Sequence, residues 1–504
     1  MLIRKVTRGI LWNVISSPLI MAINWAASIV VVRFLGVSRY AIYSVILATV
    51  NTIVSYSGLG ISESLPKFVP EVEERFGKKG LLSFLKLTIS LRSAVLLILV
   101  LLLNIFATRF SLRFGFGASG VLYIRLISII VVLRSLTLFF YNVLYSYFEQ
   151  KIVNLTTALL QLIQPALVIW FVMAGLDIIG ILIAMTAANL TVSFIAGRYS
   201  LKSIKAVEKE EKEEFKAREI GKRFSLYSIF FYFYELSRYF IGVDFAVFII
   251  ALVRAKEEIA YFSLGFKFVM MVIVFLVSSM RGVFRPLIGN VYATGDIEKL
   301  RRTYDNLEKI QILLTIPAGA GLFILTPDLI PLFYKADFLP SVPIARILIS
   351  FLFLETMLVG GTVILPIYEK YKTVLLIRSL IFLNIPVLYI LSARFGIIAA
   401  AIGLGLLRLL IAVIENFACY LLFKVHFPYR FLLKTLGASL VFSSVLIPLK
   451  RMLGTSIKEV IILTLLGGLI FLIMLRILRV ISEEEKNLIR RSGLPLKEAI
   501  CRIL

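Results

Sequence analysis

Residues 33–71 read RFLGVSRYAIYSVILATVNTIVSYSGLGISESLPKFVPE, and a degenerate copy returns at 259–296 as IAYFSLGFKFVMMVIVFLVSSMRGVFRPLIGNVYATGD. Setting Ala41-Ile42-Tyr43-Ser44 opposite Ala260-Tyr261-Phe262-Ser263 fixes the offset at 219, that is 263 less 44, and one extra residue later brings Pro66 opposite Pro286. Each copy has an aromatic-Ser start, about twenty apolar residues and a basic-Pro exit. A membrane hairpin repeated at such an offset implies two similar halves, the construction by which many transporters place a site between pseudo-symmetric lobes.

Composition sets the class. Hydrophobic residues make up 60% of the 504, charged residues 17%, and mean hydropathy is +0.95, far from the balance of a water-soluble domain. The net charge of +25 does not point to nucleic acid, because the basic residues punctuate apolar runs instead of forming one aromatic-interleaved patch. Cys419 and Cys501 lack CxxC spacing and His426 is the single histidine, so neither a disulfide framework nor a His/Cys metal site is expected.

The RFLG start, the exit GLGISESLPKFVPE and the later LIGNVYATGDIEKLRRTYDN resemble the polysaccharide-biosynthesis flippases of the multidrug/oligosaccharidyl-lipid/polysaccharide exporter superfamily. The resemblance extends over about residues 7–424. It implies an all-α polytopic fold and transport of a sugar chain carried on a polyprenyl phosphate or diphosphate. A groove for the lipid tail between the last two spans, as in some relatives, is part of the same implication.

In chain order, Arg4, Lys5 and Arg8 precede an apolar run at 9–32, too long for a signal-peptide core and read as a retained first span. Further spans are expected at 40–61, 81–107, 119–147, 153–175 and 178–199, with the charged connection at 66–79 an amphipathic turn or helix or a solvated connector. The mixed-charge stretch 202–223 reads as a linker between two six-span lobes. Spans seven to twelve follow at 224–253, 259–280, 307–325, 341–368, 373–393 and 396–424, then two more at 431–449 and 457–475. The domain plan is thus 1–200, a linker at 201–223, 224–424, a helix pair at 425–476 and a tail at 477–504. The fold expected is about fourteen transmembrane helices in two parallel-repeat lobes plus two. Pro18, Pro165, Pro317, Pro366 and Pro386 fall in or at the ends of spans, where neighbouring helices re-satisfy the freed backbone. With the N-terminus inside, inside segments collect roughly 32 Lys and Arg against roughly 11 outside, which places both termini in the cytoplasm.

The informative chemistry is the charge left inside the spans. Arg92, Arg134, Glu235, Arg238, Glu355 and Arg408 sit more than about 15 Å from the nearest span end, too deep to snorkel. Lys267 is intermediate, while Lys86, Arg125 and Arg378 are near enough to an end to reach headgroups. A deep charge costs on the order of 2.5–3.5 kcal/mol on insertion scales, so these groups should face a polar cavity or one another. Glu235 and Arg238 share a face of span seven with Tyr227, Phe231 and Tyr234 and can pair at i, i+3. Among the six deep groups four are cationic and two anionic, and that surplus favours an anionic ligand, with the arginine fork suited to phosphate. Arg92, Arg134, Arg238, Arg408 and Lys267 are therefore the candidate headgroup contacts, and Glu235 and Glu355 the ion-pair or coupling groups.

Enzymatic signals are missing. No GxxxxGK[ST] loop occurs, the Gly403-Leu404-Gly405 pair lies in an apolar helix with no preceding strand, and there is no D-x-D. The sequence reading is a multi-pass cytoplasmic-membrane flippase without cofactors. It would work by alternating access on a lipid-linked oligosaccharide, among membrane lipids and glycan-assembly enzymes, with no nucleic acid. A cation antiporter of the same superfamily, which would need an acidic cavity, and a membrane glycosyltransferase or polymerase are the alternatives.

Overall fold

In a computed structural model, residues 2–117, 119–207, 217–358, 360–453, 456–478 and 480 are described, and among them no strand occurs. The helices are α1 (Leu2–Ser57), α2 (Ile61–Ile105), α3 (Ala107–Arg113), α4 (Gly120–Ser146), α5 (Gln150–Met173), α6 (Asp177–Lys205), α7 (Ala217–Phe240) and α8 (Val243–Ala251). There follow α9 (Lys256–Thr294), α10 (Ile297–Tyr334), α11 (Ser341–Met357), α12 (Gly360–Ile367), α13 (Tyr371–Ser379), α14 (Asn384–Phe423), α15 (Tyr429–Leu453) and α16 (Ile457–Ile477).

Length alone requires some of these helices to be broken. The 56 residues of α1 would run about 84 Å if straight, nearly three times the hydrocarbon thickness of a bilayer. The break falls at Gly36, whose φ of 68° lies in the left-handed region that glycine enters at little cost. Gly396, with φ of 90°, divides α14 in the same way. Both glycines stand where the sequence reading ends one span and begins the next. Among the described residues, ten helical runs are long and apolar enough to cross a membrane. Dividing α1 and the Tyr371–Phe423 run at these glycines, and adding α7 with α8 and then α9, recovers about fourteen crossings. Side chains on the outer faces, such as Leu97, Ile98 and Ile105 of α2, are more than half exposed. Such a surface is stable against lipid tails and not against water.

Two compact units result, one from residues 1–263 with 382–396 and the other from 264–381 with 397–504. The repeat divides the chain by sequence kinship and these units divide it by packing, so their boundaries differ. In the first unit α4 and α5 pack on α6, α5 and α8 on α1, and α7 on α2. The connection at 66–79 lies within α2 and is helical up to Gly77, whose left-handed φ of 61° breaks the helix there. It buries Phe68, Val69, Val72 and Phe76 against Ile220 and Phe224 of α7 and Phe139 and Val143 of α4. Its outer face holds α7 by ion pairs, Glu71 with Arg223 at 2.7 Å and Arg75 with Glu219 at 3.2 Å. It is therefore a packed amphipathic helix and not a solvated connector. In the second unit α10 packs on α11, α15 and α16, around a core of Ile312, Ile316, Phe442, Leu446 and Phe471.

Residues that the repeat sets opposite each other also touch. Ser263 Oγ donates to Ser44 Oγ at 3.0 Å, both side chains fully buried. Both serines belong to the first unit.

Candidate functional site

Predicted span seven is two helices, and the interruption carries the chemistry. α7 ends at Phe240 and α8 starts at Val243, with Gly242 extended at ψ 164° as its N-cap. A broken helix leaves carbonyls without partners at membrane depth, where each must be satisfied by the protein. Here Asn384 Nδ2 donates to the Phe240 carbonyl, and both groups belong to the first unit. α11 and α12 in the second unit are interrupted alike, and the freed amide of Gly360 donates to Glu308 Oε1 at 2.8 Å. The sequence reading treated 224–253 and 341–368 as continuous spans. The corrections have one cause, a polar side chain elsewhere in the unit that takes over the backbone group the break exposes.

Beside the first break lies a cluster of four charges. Arg238 Nη1 donates to Glu235 Oε1 at 2.8 Å, the i, i+3 pair expected from the sequence, with side chains 55% and 39% exposed. Glu63, near the start of α2, is half-buried and feels the charges of Glu235, Arg92 and Arg238. Arg92 is 3% exposed. Its Nε donates to Ser135 Oγ of α4 at 3.1 Å and its Nη1 to Ser62 Oγ. The guanidinium is therefore tied into the wall by two neutral acceptors, while Arg238 keeps an open face.

Arg134, next to Ser135 in α4, belongs to a neighbouring set. It feels the charge of Asp244 and the phenols of Tyr43 and Tyr141. Asp244 accepts from Asn51 Nδ2 at 2.7 Å, and Tyr43 OH accepts from Gln164 Nε2 at 3.0 Å. Thr52, one residue on from Asn51, bonds the hydroxyl of Tyr239. A polar track thus runs from α1 across α4 to the α7–α8 break.

The remaining candidates lie in the second unit. Arg408 holds Glu355 through two of its guanidinium nitrogens, Nε at 2.7 Å and Nη2 at 3.0 Å, with side chains 9% and 22% exposed. Lys267, on α9, is half-buried and also has partners. Arg378 does not reach toward headgroups as its position near a span end suggested. Its Nε donates to Glu415 at 3.1 Å, with both side chains almost wholly enclosed.

Sequence reasoning missed three carboxylates. Glu63 sits just beyond the predicted end of span two at 61, but in the structure α1 ends at Ser57 and Glu63 already lies in the first turn of α2, which starts at Ile61. Asp244 was counted within span seven and gained its importance from a break that hydropathy does not show. Glu415 lies nine residues from the predicted end at 424, about 13.5 Å, just under the depth used to pick deep charges. Including them changes the balance. Each deep arginine now has an acidic group nearby, so the basic surplus argued from the sequence does not hold.

The Arg378–Glu415 pair gives a direct stability test. Glu415→Ala leaves an uncompensated buried guanidinium and is expected to destabilise the second unit by about 3–5 kcal/mol. The double change Arg378→Met with Glu415→Leu removes both charges and is expected to restore most of that loss. Thermal unfolding of the purified variants in detergent measures both, and a double variant as weak as the single one would contradict the pairing.

A further concavity, of about 210 Å³, lies in the second unit between α10, α11 and α15. Gly319, Phe323, Phe353 and Leu440 line it with Thr315, Ser350, Ser439 and Ser443. Gly319 is required there, since a Cβ would stand 2.8 Å from the Phe353 ring. Among the described residues no group of three or more His, Cys, Asp or Glu side chains could hold a metal ion.

The fold is shared with known transporters. The lipid II flippase MurJ in an inward closed conformation superposes with a TM-score of 0.73 at 19% identity, over 93% of this chain and 98% of that one. An inward-facing multidrug resistance transporter of the MATE family, in the MOP superfamily, gives 0.60 at 14% identity, over 80% and 94%. The eukaryotic MATE transporter AtDTX14 gives 0.54 at 14%, over 83% and 96%. No curated protein matches in sequence. The model of a family described as polysaccharide biosynthesis protein matches residues 6–291, more than half of the chain. With its all-helical architecture, its broken spans and that match, the chain belongs to the polysaccharide biosynthesis protein family.

Proposed function

We propose that this protein is a flippase that moves a polyprenyl-phosphate- or diphosphate-linked oligosaccharide from the cytoplasmic to the outer leaflet of the cell membrane. The observation that carries the reading is the half-exposed Arg238 beside a helix break, in a chain of the polysaccharide biosynthesis family. A bidentate guanidinium recognises phosphate as it does carboxylate. Loading is then an exchange, in which the headgroup displaces Glu235 from Arg238 and Glu235 turns to water. Glu63 prevents a strong surplus of positive charge in the empty state, which limits the cost of holding Arg92 and Arg238 together. Arg92 positions the wall, and Arg134, Arg408 and Lys267 are further contacts to test.

Alternating access of two pseudo-symmetric lobes is the proposed movement, with both termini cytoplasmic and the lipid tail remaining in the bilayer. The groove between α10, α11 and α15 is the proposed berth for that tail, since its lining is mostly apolar and α15 is one of the two helices expected to hold one. The protein would act without cofactors or covalent chemistry, in contact with enzymes that build and consume the glycan.

One observation favours a second reading. Glu63 and Glu235 stand close enough to feel each other, and a pair of carboxylates also suits an organic cation, as in a drug antiporter. Binding to the purified protein separates the two. A polyprenyl-diphosphate-linked sugar should bind at least tenfold more tightly than the same sugar on neutral polyprenol, and that ratio should collapse in Arg238→Ala. Equal affinity for charged and neutral lipids, with tight binding of a tetraphenylphosphonium probe, would support the antiporter and overturn the flippase.

A further inference from the structure

A second concavity, of about 710 Å³, lies in the first unit between α4 and α6 and is separate from the charge cluster described above. Its walls are Phe140, Leu190, Phe194 and Leu201, and its mouth is basic, with Arg198, Lys202 and Lys205. The α6 members recur every three or four residues, so they form one helical face. The floor is built: a Cβ on Gly197 would come 3.0 Å from the Phe140 ring, so α4 and α6 approach closely beneath the groove.

Three features identify the occupant. From Leu190 to Lys205 the groove runs about 22 Å along the helix, the depth of one leaflet with its headgroups. Phe194 and Leu190 are 68% and 56% exposed, which suits acyl chains and not a soluble anion. The basic side chains are also not needed to satisfy the end of α6. Lys78 Nζ does that, donating to the carbonyls of Lys205 at 2.6 Å and Val207 at 3.0 Å. Among the described residues Arg198, Lys202 and Lys205 have no ion-pair partner of their own.

We infer that this groove is a binding site for an anionic glycerophospholipid. The phosphodiester sits among Arg198, Lys202 and Lys205, and the acyl chains lie along Leu201, Phe194 and Leu190 over Phe140. In the orientation proposed above the lipid comes from the cytoplasmic leaflet, where Lys and Arg meet anionic headgroups. Such a lipid is a structural and regulatory ligand distinct from the transported substrate.

The test uses the purified full-length chain in detergent, titrated with dioleoylphosphatidylglycerol or dioleoylphosphatidylcholine and read by native mass spectrometry. The wild type should take up its first phosphatidylglycerol at least fivefold more readily than phosphatidylcholine. The triple variant R198Q/K202Q/K205Q should lose that preference. The triple variant K79Q/R218Q/K222Q removes as much charge from exposed residues on the same side of the membrane and should keep it. All six positions are exposed, so neither variant disturbs the core. No headgroup preference in the wild type, equal losses in the two triple variants, or displacement of the bound lipid by millimolar glycerol phosphate would overturn the site. Because nothing here depends on translocation, the flippase reading and this one can fail separately.

Discussion

Replacing Arg238 by alanine is expected to lower translocation about 10- to 100-fold while the protein still inserts and folds. That range is what losing a charge-assisted hydrogen bond of about 1.5–3 kcal/mol implies. The side chain is 55% exposed and its ion pair with Glu235 is within its own helix, so among the described residues its removal leaves no buried group unsatisfied. Arg238→Lys should recover only part of the rate, since it keeps the charge and loses the fork. Glu235→Gln tests the exchange step: it removes the competitor for Arg238, so headgroup affinity should rise while release slows. Arg92→Ala should behave differently, leaving Ser62 and Ser135 without their shared donor and Glu63 without a neighbouring positive charge, and should appear as lost thermal stability as well as lost transport.

Replacing Gly60 by alanine is expected to destabilise the protein strongly. Gly60 turns the chain between α1 and α2 with φ of 66°. A Cβ there would stand 1.9 Å from the Ser228 carbonyl oxygen and 2.7 Å from the Tyr232 amide. Those atoms are backbone of α7, so α7 as a whole must move. That would break Ser64 Oγ to Ser228 Oγ at 2.9 Å and Tyr232 OH to the Tyr56 carbonyl at 3.0 Å. Left-handed strain of about 1–2 kcal/mol and overpacking of about 1–3 kcal/mol together consume much of a typical folding stability. Gly175→Ala is the control, since Gly175 has φ of 83° and open space where its Cβ would go. It carries the strain without the clash. Size-exclusion recovery and thermal unfolding should rank wild type above Gly175→Ala and Gly175→Ala far above Gly60→Ala. Equal behaviour of the two variants would mean that α7 does not dock on that turn.

Much of the fold could be read from the sequence because two strong signals coincide in it. Apolar length marks each crossing, and Gly36 and Gly396 stand where one crossing gives way to the next. The Glu235–Arg238 pair was legible because helix geometry puts i and i+3 side by side without help from the rest of the chain. Glu63 was not, because its importance comes from α7 and from Arg92, which is 29 residues further along α2. The same holds for Asp244 and Glu415, whose partners are long-range. Hydropathy also reads straight through the breaks after Phe240 and after Met357, because what stabilises them is a single distant side chain, Asn384 in one case and Glu308 in the other. Local periodicity thus reports the helices, whereas the charge balance of the site is a tertiary property.

The most direct measurement is made in sealed vesicles containing the purified wild-type protein. A fluorescent polyprenyl-diphosphate-linked oligosaccharide is placed in one leaflet, and its appearance in the other is followed with an impermeant quencher. The account predicts movement well above protein-free vesicles, its loss in Arg238→Ala and no export of an organic cation by the same preparation. Cation export with a stationary lipid-linked sugar would contradict it.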